Sequence, residues 1–200
     1  MTNLYFFRHA HSIYSPDELN RPLSERGMLD AKAITNLSKV LQIDHVISSP
    51  YKRAIQTVEG IAELIGKEIE LIDGFRERLL SEHPVPDFNE AISQVWADFD
   101  FSLEGGESSH IAQKRGVEAT LQVLDKYEGQ NIAIGTHGNI MVLIMNYFDP
   151  QFDVRFWEEL AMPDIYKLTF NKNSLVDVIR INPQEVSLSN IGHTKYTTID

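Results

Sequence analysis

"LYFFRHAHS", residues 4–12, is the stretch on which the fold turns. Four apolar or aromatic residues run directly into Arg8, His9, Ala10 and His11. Residues 3–8 are short and aromatic, which predicts a buried strand. A strand that stops at Arg-His leaves a guanidinium and an imidazole at its carboxyl end. His9 then has three readings: a nucleophile, half of a metal pair with His11, or a strand-end histidine bonded to backbone.

Working outward, the strand-then-helix unit recurs. Ser24-Glu25-Arg26 opens a helical pattern in which Leu29, Ile34, Leu37, Val40 and Leu41 fall near helical spacing. Gly27 weakens its first turn. Residues 44–48 read as a second strand. Ser49 reads as an N-cap, with Pro50 at the first helical position, a helix to about Ile65 and Gly66 as its stop. Residues 68–72 are a third strand and 131–135 a fourth. Thr136-His137-Gly138-Asn139 follows, then a helix over 139–147. A long helix is expected over 107–127. Residues 164–171 and 174–181 read as an antiparallel hairpin turning at Lys172-Asn173.

Residues 74–105 break the pattern with Gly, Pro and many acids. They read as a cap-like excursion with one amphipathic stretch, Phe88 to Phe99, whose Trp96 and Phe99 are core beneath the cap. Strands alternating with helices imply an α/β fold: a three-layer α/β/α sandwich on a mostly parallel sheet with an antiparallel edge. The whole of 1–200 is read as one domain.

Ligand sites in such sheets lie beyond the carboxyl ends of the strands. Arg8-His9, the segment from Ser49 to Arg53, and Thr136-His137-Gly138 therefore belong on one rim, with Glu77 after strand three. Two guanidiniums and two imidazoles there make an anion pocket, because guanidinium forks match phosphate oxygens. The start of the helix in the fifties adds its positive dipole end.

Composition narrows the partners. At 200 residues with 42% apolar and 24% charged residues, the chain suits one soluble globular domain. It has no cysteine, so thiolate chemistry and disulfides are excluded, and a cytoplasmic setting is expected. No basic leader and no membrane-length apolar run appears. A net charge of −11 disfavours nucleic acid and anionic membranes as partners. A small anionic substrate needs a local cationic pocket.

Taken in order, "FFRHAHS", "RPLSERG", "SSPYKRAIQT", "FRER", "GGES" and "THGN" resemble the histidine phosphatase superfamily, with its phosphoglycerate-mutase-like fold. The resemblance runs from about Leu4 to Asn139 and weakly through the hairpin. It implies that His9 is the nucleophile that becomes phosphorylated, and that Arg8, Arg53 and His137 hold the phosphoryl oxygens. Glu77 sits where the family commonly keeps its proton donor. Ser12 and Ser15 fall in the loop that lines the phosphate pocket of relatives, and Gly138 follows the second histidine, so all three are expected substrate contacts. Ala10 departs from the family's more common glycine. The length and the "NRPLSERG" segment tilt the reading from mutase to phosphatase.

The expected activity is thus a metal-independent phosphomonoester hydrolase acting on a small phosphorylated substrate, with no cofactor. A phosphoglycerate-type mutase would share every catalytic residue, and a non-catalytic phospho-ligand binding module would share the fold. A metal pair of His9 and His11 lacks evident third and fourth ligands. His45, His83, His110 and His193 read as solvated or structural. Gly106-Glu107-Ser108 either borders the site or only opens the long helix. The tail from Pro183 to Asp200 packs on the domain or on a second subunit, which leaves a homodimer open.

Overall fold

The computed structural model describes residues 1–181; the tail and His193 lie outside the described residues. Six strands form one sheet: β1 (Thr2–Arg8), β2 (His45–Ser48), β3 (Ile69–Leu71), β4 (Asn131–Thr136), β5 (Asp164–Asn171) and β6 (Ser174–Arg180). Their order is β3-β2-β4-β1-β5-β6. The β3-β2, β2-β4 and β4-β1 pairs are parallel, and β5 then runs antiparallel to β1 and to β6. This is the mostly parallel sheet with an antiparallel edge that the chain's alternation implies.

Side chains of β1 alternate between two cores, as the pleat requires. Leu4 and Phe6 join Ile132, Ile134 and Phe75 on one face. Tyr5 and Phe7 join Val46, Ala133 and Ile165 on the other. The first face is covered by α4 (Ser109–Lys126) and α5 (Gly138–Phe148), and also by α3 (Phe88–Ala97). The second is covered by α1 (Glu25–Ser38) and α2 (Lys52–Ile65). Residues 139–145 of α5 are all buried, so this helix is apolar all round rather than amphipathic. α6 (Val154–Glu158) is a short helix that periodicity does not announce; Asp153 caps it by accepting from Arg155 and Phe156 N–H.

Two boundaries differ instructively. The helix of the fifties begins at Lys52, not at Pro50, and Ser49 is not its cap. Ser49 N–H donates to Gly135 O at 2.8 Å, so the ladder between β2 and β4 is still being made there and the chain cannot yet turn. The long helix begins at Ser109, capped by Ser108, because Glu107 N–H is held by Leu79 O at 2.7 Å. Gly27 is more than a weak helix residue. A Cβ there would lie 2.1 Å from His11 O, so only glycine lets the loop after β1 cross α1. Gly66 stops α2 as expected, with φ of 65°.

Candidate active site

The order β2-β4-β1 puts three parallel carboxyl ends side by side. His9 N–H donates to Thr136 O at 2.9 Å, and Ser49 N–H donates to Gly135 O, so the three motifs are stitched together by backbone. His9, Arg53 and His137 meet as the sequence places them.

His9 is buried. Its Nδ1 lies 2.8 Å from Ala10 O. A carbonyl can only accept, so Nδ1 carries the proton and Nε2 keeps its lone pair. That lone pair accepts from Arg53 Nε at 3.2 Å. Burial first, and then the Arg53 guanidinium, push the His9 pKa down to about 3. His137 lies beside it, with ring centroids 5.2 Å apart, and is fully buried. Burial and the neighbouring His9 hold its pKa well below the usual imidazole range. His137 Nε2 is 2.8 Å from Ser49 Oγ. Ser49 therefore braces His137, a role that its Ser-Pro context disguises as a helix cap.

Arg53 spends its fork on a loop carboxylate. Its Nη1 donates to Glu18 O at 2.8 Å, and its Nη2 pairs with Glu18 Oε2 at 3.0 Å. The other oxygen, Glu18 Oε1, accepts from Arg21 Nη1 at 3.0 Å. Neither Glu18 nor Arg21 stands out in the sequence, since the loop of residues 13–22 has no periodicity. Arg8 Nη1 donates to Leu160 O and Ala161 O, both at 2.9 Å. A Cβ on Gly138 would lie 3.0 Å from Arg8 Nε, so the glycine of "THGN" makes room for this guanidinium.

Glu77 lies at the amino end of α5. Its Oε1 accepts from Arg78 N–H and Ile140 N–H, both at 2.9 Å, and Oε2 accepts from Asn139 N–H at 3.1 Å. A carboxylate has roughly four acceptor positions. Three are taken by backbone N–H groups, which fix the carboxylate and leave one position on Oε2.

Arg8, His9, Arg53, Glu77 and Gly138 line one cavity of about 460 Å³, together with Glu18, Arg21 and Tyr51. A groove of about 600 Å³ between α1 and α2 is larger, but it touches none of these residues. We identify the smaller cavity as the site because the convergent charged groups are in it.

Other expected residues fall elsewhere. Ser12 is buried and pairs with Leu23 as an isolated bridge, while Ser15 Oγ accepts from Asp17 N–H at 3.2 Å; neither lines the cavity. His11 is exposed and bonded to Ser24 Oγ at 2.8 Å. Among the described residues, no group of three or more His, Asp or Glu is placed to hold a metal ion. Glu107 is a brace: it binds Arg76 and Arg115 and does not line the cavity. Although burial pushes its carboxyl up, the Arg115 bonds bring it below the ordinary value. Trp96 and Phe99 pack in the core as expected. His83, by contrast, lines the cavity mouth.

Ala10 is fully buried with Leu23 and Ala31. It is not among the residues with positive φ, so alanine fits there without backbone strain.

Known proteins bear on this geometry. The family model of the histidine phosphatase superfamily (branch 1) matches residues 4–180. Phosphoglycerate mutase-like protein 4 of Arabidopsis thaliana is 30% identical over 191 residues, covering 87% of this chain and 77% of that protein. A protein of Hydrogenobacter thermophilus named as phosphoserine phosphatase 2 is 26% identical over 158 residues, covering 72% of this chain and 77% of its own. The phosphoserine phosphatase of Entamoeba histolytica, solved with 3-phosphoglyceric acid, shares the fold with a TM-score of 0.76 at 20% identity, over 93% of this chain and 100% of that one. With Arg-His at the end of the first strand and a second histidine beside it, the chain belongs to branch 1 of the histidine phosphatase superfamily.

Proposed function

We propose that the chain is a phosphomonoester hydrolase that needs no metal ion and works through a phosphohistidine on His9. One observation carries this reading: a buried imidazole whose Nδ1 proton is fixed on Ala10 O, with its Nε2 lone pair held 3.2 Å from Arg53 Nε inside a cavity that also takes Arg8. A phosphoryl group replacing Glu18 on Arg53 meets that lone pair.

The chemistry then balances in two steps. His9 Nε2 forms a bond to phosphorus as the ester P–O bond breaks, and the departing oxygen takes a proton from Glu77. Water then attacks phosphorus, the N–P bond breaks, and Glu77 receives the proton of that water. The transition state spreads charge over three equatorial oxygens, which fixed guanidiniums stabilise without a metal. His137, expected from the sequence as a direct phosphate contact, is fully buried behind His9 and bonded to Ser49; it does not line the cavity, and in this reading it supports the His9 ring. Relatives are named as phosphatases or as mutase-like, and both use of water and retention of phosphate are compatible with these groups.

The test is a screen of sugar phosphates, phosphoglycerates, nucleotides and phosphohistidine peptides with EDTA present, scoring inorganic phosphate against isomerised product. We expect phosphate release, and His9→Ala abolishing it with the fold intact. Near wild-type turnover by His9→Ala would refute the mechanism; isomerised product without phosphate would make the chain a mutase.

A further inference from the structure

Helix α3 carries an apolar stripe of Ala91, Ile92, Val95 and Trp96, all buried in the core. Phe88 opens the same stripe, three and four residues before Ala91 and Ile92. Yet Phe88 is 53% exposed. The stripe runs off the core at this end, and beneath Phe88 lies the cavity. Trp157 of α6 meets it there, with ring centroids 6.4 Å apart at 45°. Leu79, Leu80, Val85 and Met162 line the same end. Leu79 and Met162 are 46% and 36% exposed, so three large apolar side chains left to solvent are gathered at one mouth. Scattered apolar residues need no explanation; a cluster contiguous with an anion site does.

The wall is tied to the phosphate end. Arg8, which the proposed mechanism places on the phosphoryl group, donates to Leu160 O and Ala161 O just after α6. The segment that follows α6 and its Trp157 is thus fixed by the same guanidinium that would anchor the substrate.

We propose that this wall is the leaving-group subsite and that it selects phosphomonoesters of uncharged apolar alcohols, aromatic ones above all. The inference rests on the proposed phosphatase reading for its anchor. The phosphoryl group occupies the Arg8, His9 and Arg53 end, and the alcohol's ring lies along Phe88 and Trp157. Ser81 and His83 also line the cavity, but Phe88, Trp157, Leu79 and Met162 offer no polar side-chain partner, so a charged or polyhydroxylated leaving group laid along them loses hydration without replacement.

Two measurements test it. Binding is read by calorimetry with non-hydrolysable probes, methylphosphonate against 2-phenylethylphosphonate, which differ only in apolar body. Burying one ring face on the wall is expected to tighten binding roughly tenfold or more. Trp157→Ala and Phe88→Ala should each remove most of that gain and leave methylphosphonate affinity unchanged. Turnover is read with 2-phenylethyl phosphate against glycerol 1-phosphate, both esters of primary alcohols, so leaving-group chemistry is nearly matched. The aromatic ester should show the higher kcat/KM, and the two variants should erase the difference through KM. Equal affinity of the two phosphonates, or a gain that survives both variants, overturns the subsite. Phosphonate discrimination without turnover of either ester would keep the subsite and reject the hydrolase reading instead.

Discussion

Acid should unfold this protein in a way that His9 makes measurable. In the folded chain its pKa is about 3, held there by burial and then by Arg53; unfolded, it returns to the ordinary 6.5. Above 6.5 both states are neutral at this residue and it contributes no pH dependence. Between 6.5 and 3 the unfolded chain binds a proton that the folded chain refuses, so stability falls as the pH falls. Near 3 the folded chain is protonated too and the loss levels off. Each pH unit within the window costs about 1.4 kcal/mol, and integrating from pH 7 to pH 5 gives about 2 kcal/mol. The assay is urea unfolding of wild type and His9→Gln at both pH values. Carboxylates titrate in both proteins and cancel in the comparison. The acid-induced loss should therefore be about 2 kcal/mol smaller in His9→Gln, whatever that variant's stability at pH 7. An equal loss in the two proteins would show that His9 is not held neutral by its surroundings, and the account of the nucleophile would fail with it.

Three further outcomes follow from the site. Glu77→Gln should slow hydrolysis of alkyl phosphates by roughly a hundredfold, within the usual range for a lost general acid, and of p-nitrophenyl phosphate by much less; steady-state kinetics giving equal losses on both would remove Glu77 from the acid role. Glu18→Gln frees Arg53 and Arg21 from a carboxylate that is 44% exposed and so is worth at most about 1 kcal/mol. Inorganic phosphate should bind roughly fivefold tighter by calorimetry, and weaker binding would show that Glu18 positions Arg53 rather than competing for it. Ala10→Gly should lower stability by roughly 1 kcal/mol through the freer unfolded chain, with kcat within about twofold of wild type; a large rise in activity would mean that alanine strains the nucleophile loop.

The parts of this fold that could be read in the sequence are those dictated by short-range physics. Leu4 to Phe7 are buried on both faces, so they appear as a continuous apolar run, and a run of that kind in a chain of alternating helices points to a parallel sheet. Once the sheet is parallel, His9, Arg53 and His137 must share a rim. Ser49 was hidden because Ser-Pro is also a helix-start signal, and only the pairing of Ser49 with Gly135 shows that the strand has not ended. Glu18 and Arg21 were hidden because a loop carries no period, and their tie to Arg53 spans more than thirty residues (Glu18 to Arg53 is 35 apart). Phe88 was legible as part of an amphipathic helix, but its exposure depends on where a cavity interrupts the core. The α6 helix and Trp157 escaped because a five-residue helix has too few turns to display a stripe.

The arginines at this rim explain both halves of the site. A protein of net charge −11 repels anions at long range, yet exposed charges are screened within about 8 Å at physiological salt. Arg8 and Arg53 line the cavity itself, and Arg53 Nε lies 3.2 Å from His9 Nε2, the nitrogen proposed to react. The same positive charge that would hold a phosphoryl group also disfavours a proton on His9 and His137, as does their burial. Cation and nucleophile are thus not independent provisions. A pocket built from guanidiniums around a buried imidazole keeps that imidazole unprotonated until an anion arrives. In the proposed mechanism, the arriving phosphoryl group would partly neutralise the arginines at the moment the lone pair is used. Ser49, which bonds to His137 Nε2, and Ala10 O, which fixes the His9 tautomer, orient both rings without adding charge. Replacing Arg53 with methionine would therefore cost affinity and also ease protonation of His9, two losses from one cause.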